Sequence, residues 1–139
     1  MTAKDAIGTG FENTYSYRSL NLEQTARRDE LILRLAPGNT GDEKRQWSLK
    51  LFASLPPPEQ SLALFMRTLV SRAPVLILDE VFGGMDDQMI KKCSDYLRED
   101  VGSDQAVIFV THWEHEVPWA DVQKYELVDG VGRNPLKHD

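Results

Sequence analysis

The sequence predicts an α/β domain built on parallel strands, and three observations predict it. Two short runs, Val75–Leu78 and Ala106–Val110, are apolar at successive positions, the pattern of a strand buried on both faces of a parallel sheet. Each run ends in a polar pair, Asp79-Glu80 and Thr111-His112. Between them Asp87–Arg98 reads as a helix, so the order strand, helix, strand implies a right-handed crossover connection.

The elements follow in chain order. Ala6–Tyr17 is rich in Gly, Thr and aromatic residues and reads as strand or loop. Asn21 opens a helix, with Gln24 three residues on in the arrangement of a capping box. That helix runs to about Leu35 and stops at Ala36-Pro37-Gly38. Gly38–Arg45 is polar and reads as an exposed loop, and the apolar residues Trp47, Leu49, Leu51 and Phe52 fit no single period. Pro56, Pro57 and Pro58 then fit a helix start, where a missing N–H costs little. Leu62, Phe65, Met66, Leu69 and Val70 follow at helical spacing and make one apolar stripe. Ser71–Pro74 breaks that helix before the first strand. Asp86 can cap the helix over Asp87–Arg98, Gly102-Ser103 is a turn, and Lys124–Val128 reads as a third, edge strand. Residues 6–129 form one domain on this reading, and Gly130–Asp139 is a loose tail. No repeat is visible at periods of twenty to fifty residues.

Composition narrows the function classes. The chain has 139 residues, 41% hydrophobic and 27% charged, which is ordinary for one globular domain. With Lys+Arg 16 and Asp+Glu 22, the formal net charge is −6. That argues against broad electrostatic binding to nucleic acid or anionic lipid. Neither apolar run approaches the ~20 residues that span a bilayer, so direct membrane insertion is not expected. The single cysteine, Cys93, excludes an internal disulfide and a Cys-based zinc site. These features suit a reducing compartment, the cytoplasm or the mitochondrion.

The chemistry should sit at the strand ends, because ligands of open parallel sheets bind at the carboxyl ends of the strands. Asp79, Glu80 and His112 fall there. An acid closing a buried strand suits Mg²⁺, a hard cation that prefers oxygen ligands and keeps some water. A neighbouring carboxylate can act as general base on water, and an imidazole one strand over can hydrogen-bond a phosphate oxygen. Taken alone, an apolar tetrad followed by Asp-Glu is equally the solvated end of any strand. His112 and His115 are three residues apart, but the segment matches neither common zinc-protease pattern and reads as a surface turn. Trp113 and Trp119 read as packing residues, Cys93 as a small buried side chain, and Arg27-Arg28 and Lys91-Lys92 as solvated helix faces.

Taken together, the motifs resemble those of the ATP-binding cassette (ABC) ATPases, the soluble and tandem fungal cassettes in particular. Val75–Glu80 looks like the Walker B strand, Gly84-Met85-Asp86 like the D-loop, and Val110-Thr111-His112 like the switch-histidine strand end. Leu55-Pro56-Pro57-Pro58-Glu59-Gln60 lies where that family places its signature motif. Thr9-Gly10-Phe11 through Tyr17-Arg18 is similar to a segment of the soluble cassettes. The resemblance covers roughly residues 10–119 and implies a partial P-loop NTPase fold with ATP and Mg²⁺ as cofactors. It implies that Asp79 holds Mg²⁺ through water, Glu80 is the general base and His112 senses the γ-phosphate. It implies that Asp86 reaches across an interface between two cassettes. The signature segment, with Glu59 and Gln60, would face a nucleotide bound by a partner.

Two departures qualify the resemblance. A Walker A loop needs G-x-x-x-x-G-K-[S/T]; the nearest stretch, Gly38–Lys44, carries acids and a misplaced lysine. The sequence therefore reads as the back half of a cassette that depends on a phosphate loop from a missing N-terminal lobe or a second cassette. The signature Ser is Pro56 and its Gly is Pro58, which removes a hydroxyl and an N–H that would face the anion. Val81 and Gly83-Gly84 are smaller departures. The alternative reading is a non-catalytic module that docks on another cassette through the Asp86 face and regulates it. A third is a fragment without a stable role of its own, whose open strand edges invite aggregation.

Overall fold

The structure, a computed structural model, describes residues 1–11 and 19–133. Three short helices lead. α1 spans Ala3–Gly8, α2 Leu22–Leu35 and α3 Gly41–Ser48. α4, Pro57–Leu69, follows a 3₁₀ turn at Phe52–Ser54, and then come β1 (Val75–Asp79), α5 (Asp87–Asp100) and β2 (Ala106–Val110). A hairpin, β3 (Glu126–Val128) and β4 (Val131–Arg133), closes the described chain.

β1 and β2 pair in parallel, Val75 opposite Ala106 through Asp79 opposite Val110. The predicted strand–helix–strand unit is therefore present. The helices cover one face of this two-stranded sheet. Leu76 (3% exposed) and Leu78 (0%) pack there against Leu62, Phe65, Met66 and Leu97 in one continuous core. Phe82 bridges Phe65 and Phe109, with ring centroids 5.8 and 5.6 Å apart. Burial on both faces, expected from the apolar runs, is not found. Val75, Ile77, Ile108 and Val110 form an open face and are exposed.

Local signals explain the elements that agree with the sequence. Asn21 and Gln24 form a reciprocal capping box at α2, with Gln24 N–H to Asn21 Oδ1 at 2.8 Å and Asn21 N–H to Gln24 Oε1 at 3.0 Å. α4 starts on prolines at its first two positions, and its stripe of Leu62, Phe65, Met66, Leu69 and Val70 is buried. α5 begins at Asp87 as expected but runs to Asp100, two residues further.

Four further expectations need correction. Ala6–Gly8 is helical, because Thr2 and Asp5 cap α1 and Ala3 and Ile7 are wholly buried; residues 12–17 of that segment lie outside the described residues. Gly41–Arg45 is helix rather than loop. Thr40 accepts the Glu43 N–H at 3.2 Å and Trp47 anchors the short helix in the core, so a polar stretch folds around one aromatic. Glu126–Val128 is not an edge strand of the parallel sheet. It pairs antiparallel with Val131–Arg133, part of the stretch read as tail. Asp129 (φ 51°) and Gly130 (φ 78°) supply the two left-handed residues that a two-residue hairpin turn requires.

The fourth correction concerns Arg27, which is not solvated. Its guanidinium donates to both carboxylate oxygens of Asp100 at 2.8 Å, to Tyr96 Oη at 3.1 Å and to the Leu69 carbonyl at 3.0 Å. Burial works against the charge, yet the Asp100 carboxylate beside it holds the guanidinium pKa above its ordinary value. This cluster ties α2, α4 and α5 together.

Candidate functional site

β1 and β2 end side by side, and the backbone beyond them is fixed. The Glu80 N–H donates to the Val110 carbonyl at 2.8 Å, carrying the ladder one residue past β1. Glu80 itself takes φ 49°, a left-handed conformation uncommon outside glycine. The chain turns away sharply there, and the Gly83 N–H returns to the Glu80 carbonyl at 3.1 Å. On β2, Thr111 Oγ1 accepts the Trp113 N–H at 3.0 Å and donates to Glu116 at 2.9 Å, which holds the turn after the strand.

These two turns bring Glu80 and His112 together. Glu80 Oε1 lies 2.7 Å from His112 Nε2, and both side chains are open to solvent. Asp79 is exposed on the open face of β1, one residue away. A groove of about 280 Å³ runs between α4 and β1, lined by Ser61, Leu64, Thr68, Ile77, Asp79 and Glu80 among others. Its lining carries the carboxylates of Asp79 and Glu80 and the hydroxyls of Ser61 and Thr68, which lie about two helical turns apart on α4. Carboxylates are the donors a hard divalent cation prefers, but among the described residues no three acidic, histidine or cysteine side chains come together as a metal site. Ser61 and Thr68 escaped the sequence reading. Their seven-residue spacing on α4, flanking Leu64, was the available signal. A second depression, about 330 Å³, lies among α1, α2 and α3 and contains none of the strand-end residues.

The remaining candidate residues are engaged elsewhere. Asp86 caps α5, its Oδ1 accepting the Met89 N–H at 2.8 Å, and is otherwise exposed. Glu59 Oε1 accepts the Trp47 indole N–H at 2.6 Å, and Gln60 donates to the Phe52 carbonyl at 3.2 Å. At the start of α4, Pro57 and Pro58 have no N–H, and those of Glu59 and Gln60 both go to the Pro56 carbonyl at 2.9 and 3.0 Å. The helix start is thus closed by its own backbone.

Gly38–Lys44 does not form a phosphate loop. It leads into the capped start of α3, and Lys44 Nζ donates to the Leu33 carbonyl at 2.6 Å. Residues 114–116 form a 3₁₀ turn, and the Trp113 and His115 rings sit 6.2 Å apart. Trp113 is 61% exposed, so it is not the packing residue expected, whereas Trp119 packs on the core. Cys93 is fully buried, and burial pushes its thiol pKa up to about 12. Among the described residues no helix is long and apolar enough to cross a membrane.

Comparison with known proteins bears on this geometry. No family model matches the chain. Over 119 residues, 85% of its length, it is 29% identical to an uncharacterized ABC transporter ATP-binding protein of Saccharomyces cerevisiae. Over 59 residues it is 34% identical to a second such protein, from Schizosaccharomyces pombe. The chain spans 21% and 12% of these relatives. A solved structure described as the ATP-binding subunit of an ABC transporter shares the fold. The TM-score is 0.61 and the identity 16%, over 81% of this chain and 42% of that one. By sequence this chain is similar to these two ABC ATP-binding proteins, and its fold, an α/β arrangement with a parallel sheet, is similar to part of that ABC ATP-binding subunit.

Proposed function

We propose that the chain is the lobe of an ABC-type ATPase that supplies the acidic and histidine side of an ATP site. The observation that carries this reading is the Glu80–His112 contact of 2.7 Å at the paired ends of two parallel strands, with Asp79 beside it. In this reading Asp79 would hold Mg²⁺ through water, and the cation would neutralise phosphate charge. Glu80 accepts a proton from the attacking water. His112 orients Glu80 and donates a hydrogen bond to a phosphate oxygen. Water reaches both groups, because both are exposed, so closure of the site falls to a partner. The phosphate cradle comes from elsewhere, either from another part of a cassette or from a second cassette. Asp86, on the exposed start of α5, faces that second cassette.

The test joins binding and turnover. Calorimetry of the chain with MgATP is expected to show no binding tighter than millimolar, and Asp79→Ala to change nothing. In an assembly completed with a Walker A-bearing lobe, Glu80→Gln is expected to lower ATP hydrolysis by about 10²–10⁴-fold. Micromolar binding by the chain alone, lost in Asp79→Ala, overturns the dependence on a second lobe. Unchanged hydrolysis in Glu80→Gln overturns the base.

A second reading has its own support. The proline-closed start of α4 offers no free N–H to an anion. That favours a docking or regulatory module whose signature segment does not serve a nucleotide. Restoring a serine and a glycine, as in Pro56→Ser with Pro58→Gly, separates the two. A gain in ATPase of the completed assembly favours the catalytic reading, and none favours the regulatory one.

A further inference from the structure

We infer that the depression among α1, α2 and α3 is a binding site for a small organic anion with a short apolar body. It shares no lining residue with the groove at the strand ends, so it stands or falls apart from the proposed ATP site.

Local structure brings the lining together. Arg28 lies four residues before Ile32 on α2, Asp29 lies four before Leu33, and Arg45, Ser48 and Leu49 follow at helical spacing on α3. Each helix therefore turns one face to the depression. Lys4 joins them from α1. The start of α1 is pinned to the chain after α3, because the Ala3 N–H donates to the Lys50 carbonyl at 2.8 Å and the Phe52 N–H to the Met1 carbonyl at 3.0 Å. The volume, about 330 Å³, falls at the lower end of the ~300–1,000 Å³ of small-molecule pockets. It admits one head group and a short chain, not a folded segment.

Charge selects the head group. Lys4, Arg28 and Arg45 face a single lining carboxylate, Asp29, in a chain whose formal net charge is −6. The Arg28 side chain is only 12% exposed. Its Nε donates to Asp29 Oδ1 at 3.1 Å, while its two Nη groups meet no acceptor among the described residues and stay open to solvent. A guanidinium so enclosed, with its fork still free, is set to take a carboxylate or phosphate through two parallel hydrogen bonds. Lys4 is half-buried, and its Nζ likewise has no partner among the described residues. Arg45 shares its charge with the exposed Asp42.

The apolar part of the lining selects the rest of the ligand. Ile32 is buried beneath, and Leu33 and Leu49 are exposed around it. An apolar body laid over these two leucines takes them out of water, which a bare inorganic ion does not. The net negative charge of the whole chain opposes approach to an anionic bilayer, so the ligand is a free anion rather than a lipid headgroup in a membrane.

The test titrates the full chain with octanoate and with octyl phosphate, each below its micelle concentration, and follows backbone amide shifts by NMR. Both probes are expected to move Lys4, Ile32, Leu33, Ser48 and Leu49 saturably and to leave Asp79, Glu80 and His112 in place. Arg28→Gln should weaken binding about tenfold, through loss of its charge-assisted hydrogen bonds. Lys4→Gln carries the test if that variant does not fold. Five results overturn the inference. They are no saturable shift, equal binding of inorganic phosphate, equal binding of octyltrimethylammonium, binding to phosphatidic acid vesicles without response to the soluble probes, and affinity unchanged in both variants. The readouts need neither nucleotide nor a second lobe, so absence of ATPase leaves this site standing and absence of amphiphile binding leaves the ATP reading standing.

Discussion

Removing Asp100 should unfasten three helices at once. Its carboxylate receives two guanidinium N–H groups of Arg27 at 2.8 Å and lies 3.4 Å from Arg72, and the Arg27 and Asp100 side chains are each 8% exposed. In Asp100→Ala the Arg27 charge keeps only Tyr96 Oη and the Leu69 carbonyl, and its buried Nε already lacks a partner. Removing one member of a buried pair leaves an uncompensated charge and costs about 3–5 kcal/mol. For a domain of this size about 4 °C of midpoint accompanies each kcal/mol, so the thermal midpoint should fall by about 12–20 °C. Urea unfolding followed by circular dichroism measures the loss. The double variant Arg27→Met, Asp100→Leu should recover much of it, because both charges then leave together. The exposed pair Arg34–Glu99, 2.6 Å apart with side chains 51% and 63% exposed, is the control: Glu99→Ala should leave the midpoint near wild type. A loss under about 1 kcal/mol in Asp100→Ala, or a double variant no better than the single one, refutes the assignment of this cluster as the clamp between α2, α4 and α5.

Three further outcomes follow from the structure. Gly10→Ala should destabilise by about 1–3 kcal/mol, since a Cβ there overlaps the Arg67 carbonyl oxygen and lies 2.7 Å from Val70 Cγ1; the urea midpoint reads it. Asp86→Ala should lower stability by about 1 kcal/mol through loss of the α5 cap, and Asp86→Asn should restore it, as chemical denaturation will show. Cys93 makes stability fall as pH rises. The folded thiol is raised to about 12 from the ordinary 9.0, so the unfolded chain loses its proton first, and between these values stability drops by about 1.4 kcal/mol per pH unit. Cys93→Ala should flatten that slope in unfolding curves taken from pH 8.5 to 10.5, and disulfide reagents should label Cys93 only at the rate of unfolding.

The parts of the fold legible in the sequence are those whose causes are local. Asn21 with Gln24, the prolines at the start of α4 and Asp86 before α5 each mark a helix start within four residues, and the runs Val75–Leu78 and Ala106–Val110 mark two strands. That Glu80 and His112 share one edge was legible, because strand ends converge on one edge of a parallel sheet; their direct contact was not. What escaped depends on contacts distant in sequence. α3 is a polar segment held by Trp47, whose indole reaches Glu59 on α4. The burial of Arg27 depends on Asp100, 73 residues away. The open face of β1 and β2 escaped for another reason. An apolar run reports what a strand is built to bury, and here one face is left uncovered among the described residues.

The closed start of α4 has an electrostatic consequence. A helix of this length carries about half a positive charge at its N-terminus, spread over N–H groups that point outward. Here the first two are absent, the next two are turned onto Pro56, and the carboxylate of Glu59 stands in the first turn. A full negative charge over half a positive one leaves the local field negative. A phosphate approaching α4 along its axis is therefore repelled, and a cation is drawn in.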